Sequence, residues 1–259
     1  MTAPHILLTN DDGIDPVGFR ALYDALSAFA EVTAVAPAED RSAVGRAMSS
    51  DVAVEEHDLG YAIDGTPADC TVAGLEALCP DADLVVSGCN DGANLGAYVL
   101  GRSGTVSAAV EAAFFDVPAI AVSLYVPDSP DWAEIAGDPA NYRHATDAAV
   151  FLARNAVDAG VFERAEYLNV NAPLPGEGPV DMEITRPSLA YDMTAEVEAG
   201  RITLHDRIWG RMREDDVPDP AGTDRRAIVE GRVSVSSLTA PHTVEHHDAL
   251  DDLAEEFPG

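Results

Sequence analysis

The fold is best predicted from one segment near the start of the sequence, His5-Ile6-Leu7-Leu8-Thr9-Asn10-Asp11-Asp12-Gly13. The apolar run at positions 6–8 is typical of a short buried strand. Polar residues follow it directly, and an amphipathic segment then begins near Pro16. The pattern predicts that Asp11 and Asp12 lie in a strand-to-helix turn at the carboxyl edge of a parallel sheet, which is where open α/β folds bind ligands.

Two interpretations of this turn remain open from these residues alone. Asn, Asp and Gly favour turns because of their local hydrogen bonds and their tolerance of unusual backbone angles. Adjacent carboxylates also repel each other unless a positive group lies between them. A hard divalent cation with oxygen ligands is the simplest such group.

The second strand predicted from the sequence, residues 31–37, ends in a polar loop at residues 38–46. Strand, helix and strand at this spacing form a βαβ unit with a right-handed crossover, so this loop falls on the same sheet edge as Asp11. Ser42 offers a hydroxyl oxygen there, and Arg41 and Arg46 offer positive charge. The alternative is a solvated loop with local ion pairs of little energetic value.

A third strand, residues 84–88, opens into a loop rich in Gly and Asn. Asn90 lies just past its end and offers an amide oxygen, although Asn in a glycine-rich turn is an equally ordinary observation. Ser103, Gly104 and Thr105 then precede an Ala-rich helix at 106–115. A helix amino terminus with free N–H groups and hydroxyls favours phosphate, but Ser and Thr also cap ordinary helices.

The alternation of strands and helices continues with a strand at 117–124, a helix at about 142–156 and a last core strand at 167–171. This order predicts an α/β fold with a doubly wound, mostly parallel, Rossmann-like sheet. The character of the sequence changes after Pro173. We expect a single domain over 1–259, with an α/β core at about 1–172, a β-rich arm at about 173–240 and an acidic tail at 241–259. His242, His246 and His247 in that tail are interpreted as exposed polar residues rather than a metal site.

The composition limits the partners and the environment. The net charge is −31 at pH 7, and all 15 basic residues are Arg. A Lys-free, acidic surface predicts adaptation to a concentrated-salt cytosol, and it argues against a nucleic-acid duplex as partner. The three cysteines form no CxxC pair, so neither a disulfide framework nor a zinc site is predicted. We find no signal peptide and no apolar run of about 20 residues, which predicts a cytoplasmic protein without a membrane partner.

Several ordered motifs together resemble the survival protein E (SurE) family of nucleotidases, firmly over the first two-thirds of the chain and weakly afterwards. An ordered series at compatible spacing is far more specific than one motif. The matching segments are 6–13 (ILLTNDDG), Ala36-Pro37 with Arg41-Ser42, 65–70 (GTPADC), 85–90 (VVSGCN), 92–96 (GANLG), 103–106 (SGTV) and 118–123 (PAIAVS), with looser matches at 168–171 (LNVN) and Thr223-Asp224.

The resemblance implies a divalent-metal-dependent 5′-nucleotidase that hydrolyses nucleoside monophosphates. It implies one Mg, Mn or Ca ion per subunit and a homodimer or homotetramer formed through the carboxyl-terminal arm. The metal ligands that it implies are Asp11, Asp12, Ser42 and Asn90. One departure is residues 97–102, AYVLGR, which differ from the family pattern before Ser-Gly-Thr. Arg102 there either adds a phosphate contact or pairs with the acidic surface.

The hypothesis is that metal-activated water attacks phosphorus, with Asp11 and Asp12 as the catalytic residues. The phosphate oxygens would be held by Asn10, Asn94, Ser103, Gly104 and Thr105. One alternative is a phosphatase with Asp11 as covalent nucleophile. It is disfavoured because the carboxylates are adjacent rather than spaced as DxD, and because no Lys is present. The other is a non-catalytic nucleotide-binding or stress protein, which fold alone does not exclude.

Overall fold

The computed structural model describes residues 3–127, 129–176 and 178–240. The predicted acidic tail, with its three histidines, lies outside the described residues. Within them, a nine-stranded sheet is flanked by helices, and a two-stranded hairpin is separate from that sheet. The strands are β1 (His5–Thr9), β2 (Glu31–Pro37), β3 (Val54–His57), β4 (Gly60–Ile63), β5 (Leu84–Asn90), β6 (Ala119–Tyr125), β7 (Tyr167–Pro173), β8 (Met182–Thr185), β9 (Met193–Glu198), β10 (Arg201–Asp206) and β11 (Val233–Leu238).

The strand order in the large sheet is β3-β4-β2-β1-β5-β6-β7-β11-β8. The central strands from β4 to β7 are parallel, which confirms the predicted α/β class. The helices are α1 (Val17–Ser27), α2 (Pro67–Ala73), α3 (Ala97–Leu100), α4 (Gly104–Phe114), α5 (Trp132–Gly137), α6 (Arg143–Asn155), α7 (Arg207–Arg213) and α8 (Asp224–Val229). None of the helices in the described ranges has the length and apolar character needed to cross a bilayer.

The core lies in two layers because successive side chains of a strand point to opposite faces. In β1, Ile6 and Leu8 pack with apolar residues of α1 and α6 on one face. Leu7 packs on the other face with residues of α2 and α4. All three side chains are fully buried. This packing fixes β1 at the centre of the sheet, and it therefore fixes the position of the turn that follows β1.

The carboxyl-terminal region differs from the prediction. The sequence pattern predicts residues 167–171 as the last strand of the core, and this is wrong. Strand β11 pairs antiparallel with β7, and β8 pairs parallel with β11, so both extend the main sheet. Val233 and Val235 of β11 are buried against the core. Among the described residues of the segment predicted as an arm, the β9–β10 hairpin alone forms a sheet of its own.

Candidate active site

The turn after β1 is held by Asn10. Its side-chain amide donates to the Gly13 carbonyl at 2.7 Å, and its Oδ1 accepts from the Gly13 N–H at 3.3 Å. Asn10 is fully buried and is not part of the cavity described below. The Asn10 amide is thus used to shape the loop that presents Asp11 and Asp12, and the phosphate contact by Asn10 stays a prediction.

Asp11 is 4% exposed and lies against the amino terminus of α4. The Thr105 hydroxyl donates to its Oδ1 at 2.5 Å. A Cβ built on Gly104 would lie 2.6 Å from the Asp11 Cβ and 2.8 Å from Oδ2, so only glycine permits this approach. Burial raises the pKa of Asp11, and hydrogen bonds from Thr105 and from the Gly104 backbone oppose that rise. Gly104 and Thr105 thus contact Asp11 instead of lining the cavity.

Asp12 lies in an environment that disfavours the charged form of its carboxyl group. Burial raises its pKa to about 8, and the charges of Asp91 and Asp11 add to the rise. The Asp91 N–H donates to Asp12 Oδ2 at 3.3 Å. The sequence pattern did not single out Asp91, although it directly follows Asn90 at the same strand end. Burial and the nearby Asp40 raise the pKa of Asp91 as well.

The two remaining predicted ligands come from neighbouring loops. Ser42 lies in the loop after β2, and its hydroxyl donates to Asp40 at 2.6 Å. Asn90 is the last residue of β5, and its side-chain Nδ2 donates to the Gly92 carbonyl. Because Nδ2 is engaged in this way, the Asn90 Oδ1 is the atom available to a ligand.

These loops enclose a cavity of about 240 Å³ at the carboxyl edge of the sheet. All four predicted metal ligands line it, together with two of the predicted phosphate contacts. The lining consists of Asp11, Asp12, Ser42, Ala43, Asn90, Asp91, Gly92, Asn94, Val99, Arg102 and Ser103. Carboxylate, hydroxyl and amide oxygens therefore meet at the place that the strand ends predict.

Asn94 is fixed in the cavity wall by buried polar contacts. Its Nδ2 donates to the Ser123 hydroxyl at 2.9 Å, and its backbone N–H donates to Asn171 Oδ1 at 2.8 Å. Its carbonyl accepts from the Asn169 amide at 2.8 Å. Ser103 caps α4, where its hydroxyl accepts from the Val106 N–H at 3.1 Å. The polar residues that line this wall are consequently preorganised.

Arg102 is the basic residue among those that line the cavity. Its guanidinium stacks on the Tyr98 ring at 5.1 Å and forms no ion pair in the part of the chain that the structure describes. Arg41 and Arg46, by contrast, pair with Asp64 at 2.8 Å and with Glu111 at 2.7 Å. Both interpretations of Arg102, a phosphate contact or a pairing with the acidic surface, stay predictions.

The loop between β5 and α4 is clamped by residues from the end of the chain. Asp224 accepts from the N–H groups of Gly96 at 2.7 Å and Ser188 at 2.9 Å. Arg225 is fully buried, and its guanidinium donates to the Leu95 carbonyl at 3.3 Å. A Cβ on Gly96, whose φ is +89°, would lie 2.1 Å from that guanidinium. This clamp holds the loop that carries Asn94.

The fold and the cavity together define an α/β protein with an acidic, oxygen-lined ligand site at the carboxyl edge of a mostly parallel sheet. A family model described as "Survival protein SurE" matches residues 6–193. The chain belongs to this family, as the ordered motifs predict.

Relatives and a solved structure agree with this membership. The chain is 64% identical over 255 residues to the 5′-nucleotidase SurE of Haloquadratum walsbyi, covering 97% of this chain and 96% of the relative. It is 64% identical over 259 residues to the 5′-nucleotidase SurE of Haloarcula marismortui, covering 99% and 96%. Such halophilic relatives fit the salt adaptation predicted from composition. The crystal structure of the SurE protein from Aquifex aeolicus matches with a TM-score of 0.77 at 29% identity, covering 98% of this chain and 99% of that one.

Proposed function

We propose that the chain is a 5′-nucleotidase that hydrolyses nucleoside monophosphates with the help of one divalent cation. The observation that carries the proposal is the cavity where Asp11, Asp12, Ser42 and Asn90 meet beside Arg102. A negative cluster and a positive side chain face the same space. That combination suits a cation together with a phosphate monoester.

The donor chemistry fits a hard cation. Asp11, Asp12, Ser42 and Asn90 offer carboxylate, hydroxyl and amide oxygens, which suit Mg, Mn or Ca. The pKa of Asp12, raised to about 8, means that the protein alone disfavours the charged carboxylate, which is the form that a bound cation would stabilise. When bound, such an ion polarises the phosphoryl group and makes water a stronger nucleophile.

The chain's own residues divide the remaining work. Arg102 binds and orients the phosphate, since it lines the cavity and forms no ion pair with a carboxylate among the described residues. Asn94 and Ser103 lie in the fixed wall and would contact the phosphate oxygens. Gly104 and Thr105 are positioning residues, because they hold the Asp11 carboxylate and do not reach the cavity.

The proposed assembly is a homodimer or homotetramer formed through the β9–β10 hairpin. Ala195 and Val197 pair across the hairpin with Leu204 and Ile202, so the four side chains share one face. Val197, Ile202 and Leu204 are 75%, 66% and 69% exposed. An apolar face of this kind is typical of a protein interface. Light scattering should show I202D shifted towards monomer, with T203D on the other face as the matched control. An I202D chain with unchanged mass would refute this assembly.

The test of the activity is phosphate release from a panel of nucleoside monophosphates in high KCl. Samples would contain EDTA or added Mg, Mn, Ca or Co. We expect release that requires a metal and ranks the substrates. A folded chain that binds nucleotide but releases no phosphate with any metal would favour the binding-protein alternative. If radiolabelled phosphate stays bound to the protein after a rapid acid quench, the result would instead favour Asp11 as covalent nucleophile.

A further inference from the structure

Three side chains of different chemistry meet at the opposite edge of the sheet, where β1 begins. His5 Nδ1 lies 3.2 Å from Asp81 Oδ1 and 3.8 Å from Cys79 Sγ. One ligand atom from each residue lies within 4.8 Å of the other two. No local motif predicts this cluster, because Cys79 has no CxxC partner and His5 is 74 positions away.

Two of the three separations lie near the edge lengths of a small coordination polyhedron, and the third, between Cys79 and Asp81, is at most 4.8 Å. A tetrahedral zinc ion with Zn–S of about 2.3 Å and Zn–N or Zn–O of about 2.0 Å places its ligand atoms roughly 3.3 to 3.6 Å apart. The observed 3.2 and 3.8 Å bracket that range. Cys79 Sγ also lies 3.2 Å from His5 Nε2, so the sulfur packs along the ring edge.

A neighbouring residue already fixes the other ring nitrogen of His5. Nε2 lies 2.9 Å from the Thr33 hydroxyl, which belongs to β2. A histidine that binds a metal through one nitrogen is usually oriented by a hydrogen bond at the other. This contact leaves Nδ1, the nitrogen nearer Asp81, for a ligand.

The backbone holds the cluster in place without any ion. The His5 N–H donates to Asp83 Oδ2 at 2.9 Å, and the Asp83 N–H returns a bond to the His5 carbonyl at 2.8 Å. The Ala82 N–H donates to the Cys79 carbonyl at 3.2 Å, which tightens the loop before β5. The three side chains therefore converge because of the register of β1 against this loop.

We propose that His5, Cys79 and Asp81 form a second metal site, which binds Zn²⁺ or a similar thiophilic divalent ion with a fourth position open to water. Sulfur, nitrogen and oxygen donors select zinc or cobalt rather than the hard cations suited to the all-oxygen cavity. The site would tie the start of β1 to the loop before β5.

Metal binding at Cys79 has to displace the proton of its thiol. Burial raises the pKa of its thiol to about 11, so the free thiol is protonated at neutral pH and is a poor nucleophile. Binding would replace that proton, with formation of one metal–sulfur bond and release of one H⁺.

Cobalt absorption spectroscopy on the full chain in high KCl tests the proposal, with Co²⁺ alone as the probe. A thiolate ligand produces an intense sulfur-to-cobalt charge-transfer band, whereas an ion in the oxygen cavity does not. We expect the band in the wild-type chain and in C70S, which alters another fully buried cysteine. It should be absent in C79S.

A second variant keeps the test decisive if C79S folds poorly. Asp81 is 79% exposed, so D81N should fold normally. We expect D81N to bind cobalt at least about tenfold more weakly, while the matched control D24N, on the exposed side of α1, binds like wild type. A wild-type spectrum without the band, a band that survives C79S, or equal affinities for D81N and wild type would each overturn the proposal.

Discussion

The two edges of the central sheet carry polar clusters of opposite design. At the carboxyl edge, Asp11, Asp12 and Asp91 place like charges together in a largely buried space. At the amino edge, Cys79 and His5 meet Asp81, which is mostly exposed. Helices α1 and α4 begin at the carboxyl edge, so their positive ends face the acidic cluster. Polar residues thus lie at both ends of the parallel strands. The type of ligand atom, oxygen at one end and sulfur, nitrogen and oxygen at the other, determines which metal ion each end suits.

Removal of one charge from the carboxyl edge should have the largest effect. We expect D11N to lower metal-dependent phosphate release by at least about 10³-fold, because Asp11 is both a proposed metal ligand and the partner of α4. The matched control is D15N, whose carboxylate is 79% exposed and which should stay within about twofold. Steady-state assays in high KCl, with circular dichroism to confirm folding, check this. Near-normal turnover in D11N would refute the proposal that the acidic cluster at the carboxyl edge binds the catalytic metal.

Removal of the positive side chain should have the next largest effect. R102Q removes the positive charge of a residue that lines the cavity. We expect kcat/KM to fall by about 10- to 100-fold, mainly through KM. R41Q is the control, because Arg41 already pairs with Asp64. If both variants lose the same amount of activity, the general loss of positive charge explains the result, and Arg102 has no specific role in binding the phosphate.

The close approach of α4 to Asp11 predicts a third effect. A methyl group at Gly104 would collide with the Asp11 carboxylate, so G104A should lose about 1 to 3 kcal/mol of unfolding free energy and part of its activity. A methyl group at Gly101 would meet nothing within 4 Å, and G101A should be nearly neutral. Denaturant unfolding of the two variants compares them directly. Equal stability would show that α4 moves freely away from the acidic cluster.

The smallest expected effect concerns pH. The pKa of Asp12 rises from 3.8 to about 8 on folding, so the folded chain holds the proton more tightly than the unfolded chain. The resulting stabilisation is present in full below about pH 4 and is lost as pH rises through about 8. Without metal, D12N should therefore be more stable than wild type at pH 9, by about 1 kcal/mol.

Saturating Mg²⁺ or Mn²⁺ should reverse that order, because the ion then binds the wild-type carboxylates and stabilises only the chain that retains them. Thermal unfolding at pH 5 and pH 9, with and without metal, measures both the pH effect in the absence of metal and its reversal by the metal. If D12N is less stable than wild type at pH 9 in EDTA, Asp12 is neutralised by the protein itself.

The sequence predicts those features of the acidic site that lie within one continuous segment. Residues 6–13 contain a strand, a turn and two carboxylates in one segment, so their placement follows from short-range pattern. The sequence predicts a phosphate contact for Asn10 because turn residues and ligand residues share the same chemistry. Only the folded structure shows that the Asn10 amide closes the loop on Gly13.

The parts that sequence could not predict depend on long-range pairing. Strand β11 joins β7, and Asp224 reaches Gly96 across 128 positions. Neither partner carries a local signal for the other. His5 and Cys79 are a further example, since each is unremarkable in its own segment.

The contact between Asp224 and Gly96 has a consequence for protein synthesis. All proposed ligands of the carboxyl edge have been synthesised once residue 105 is added, but the clamp on their loop arrives 128 residues after Gly96. At ordinary elongation rates of about 5 to 20 residues per second, that delay is roughly 6 to 26 s. A nascent chain thus carries the proposed ligands long before it can hold their loop in place, and the site cannot be fixed until Asp224 has been added.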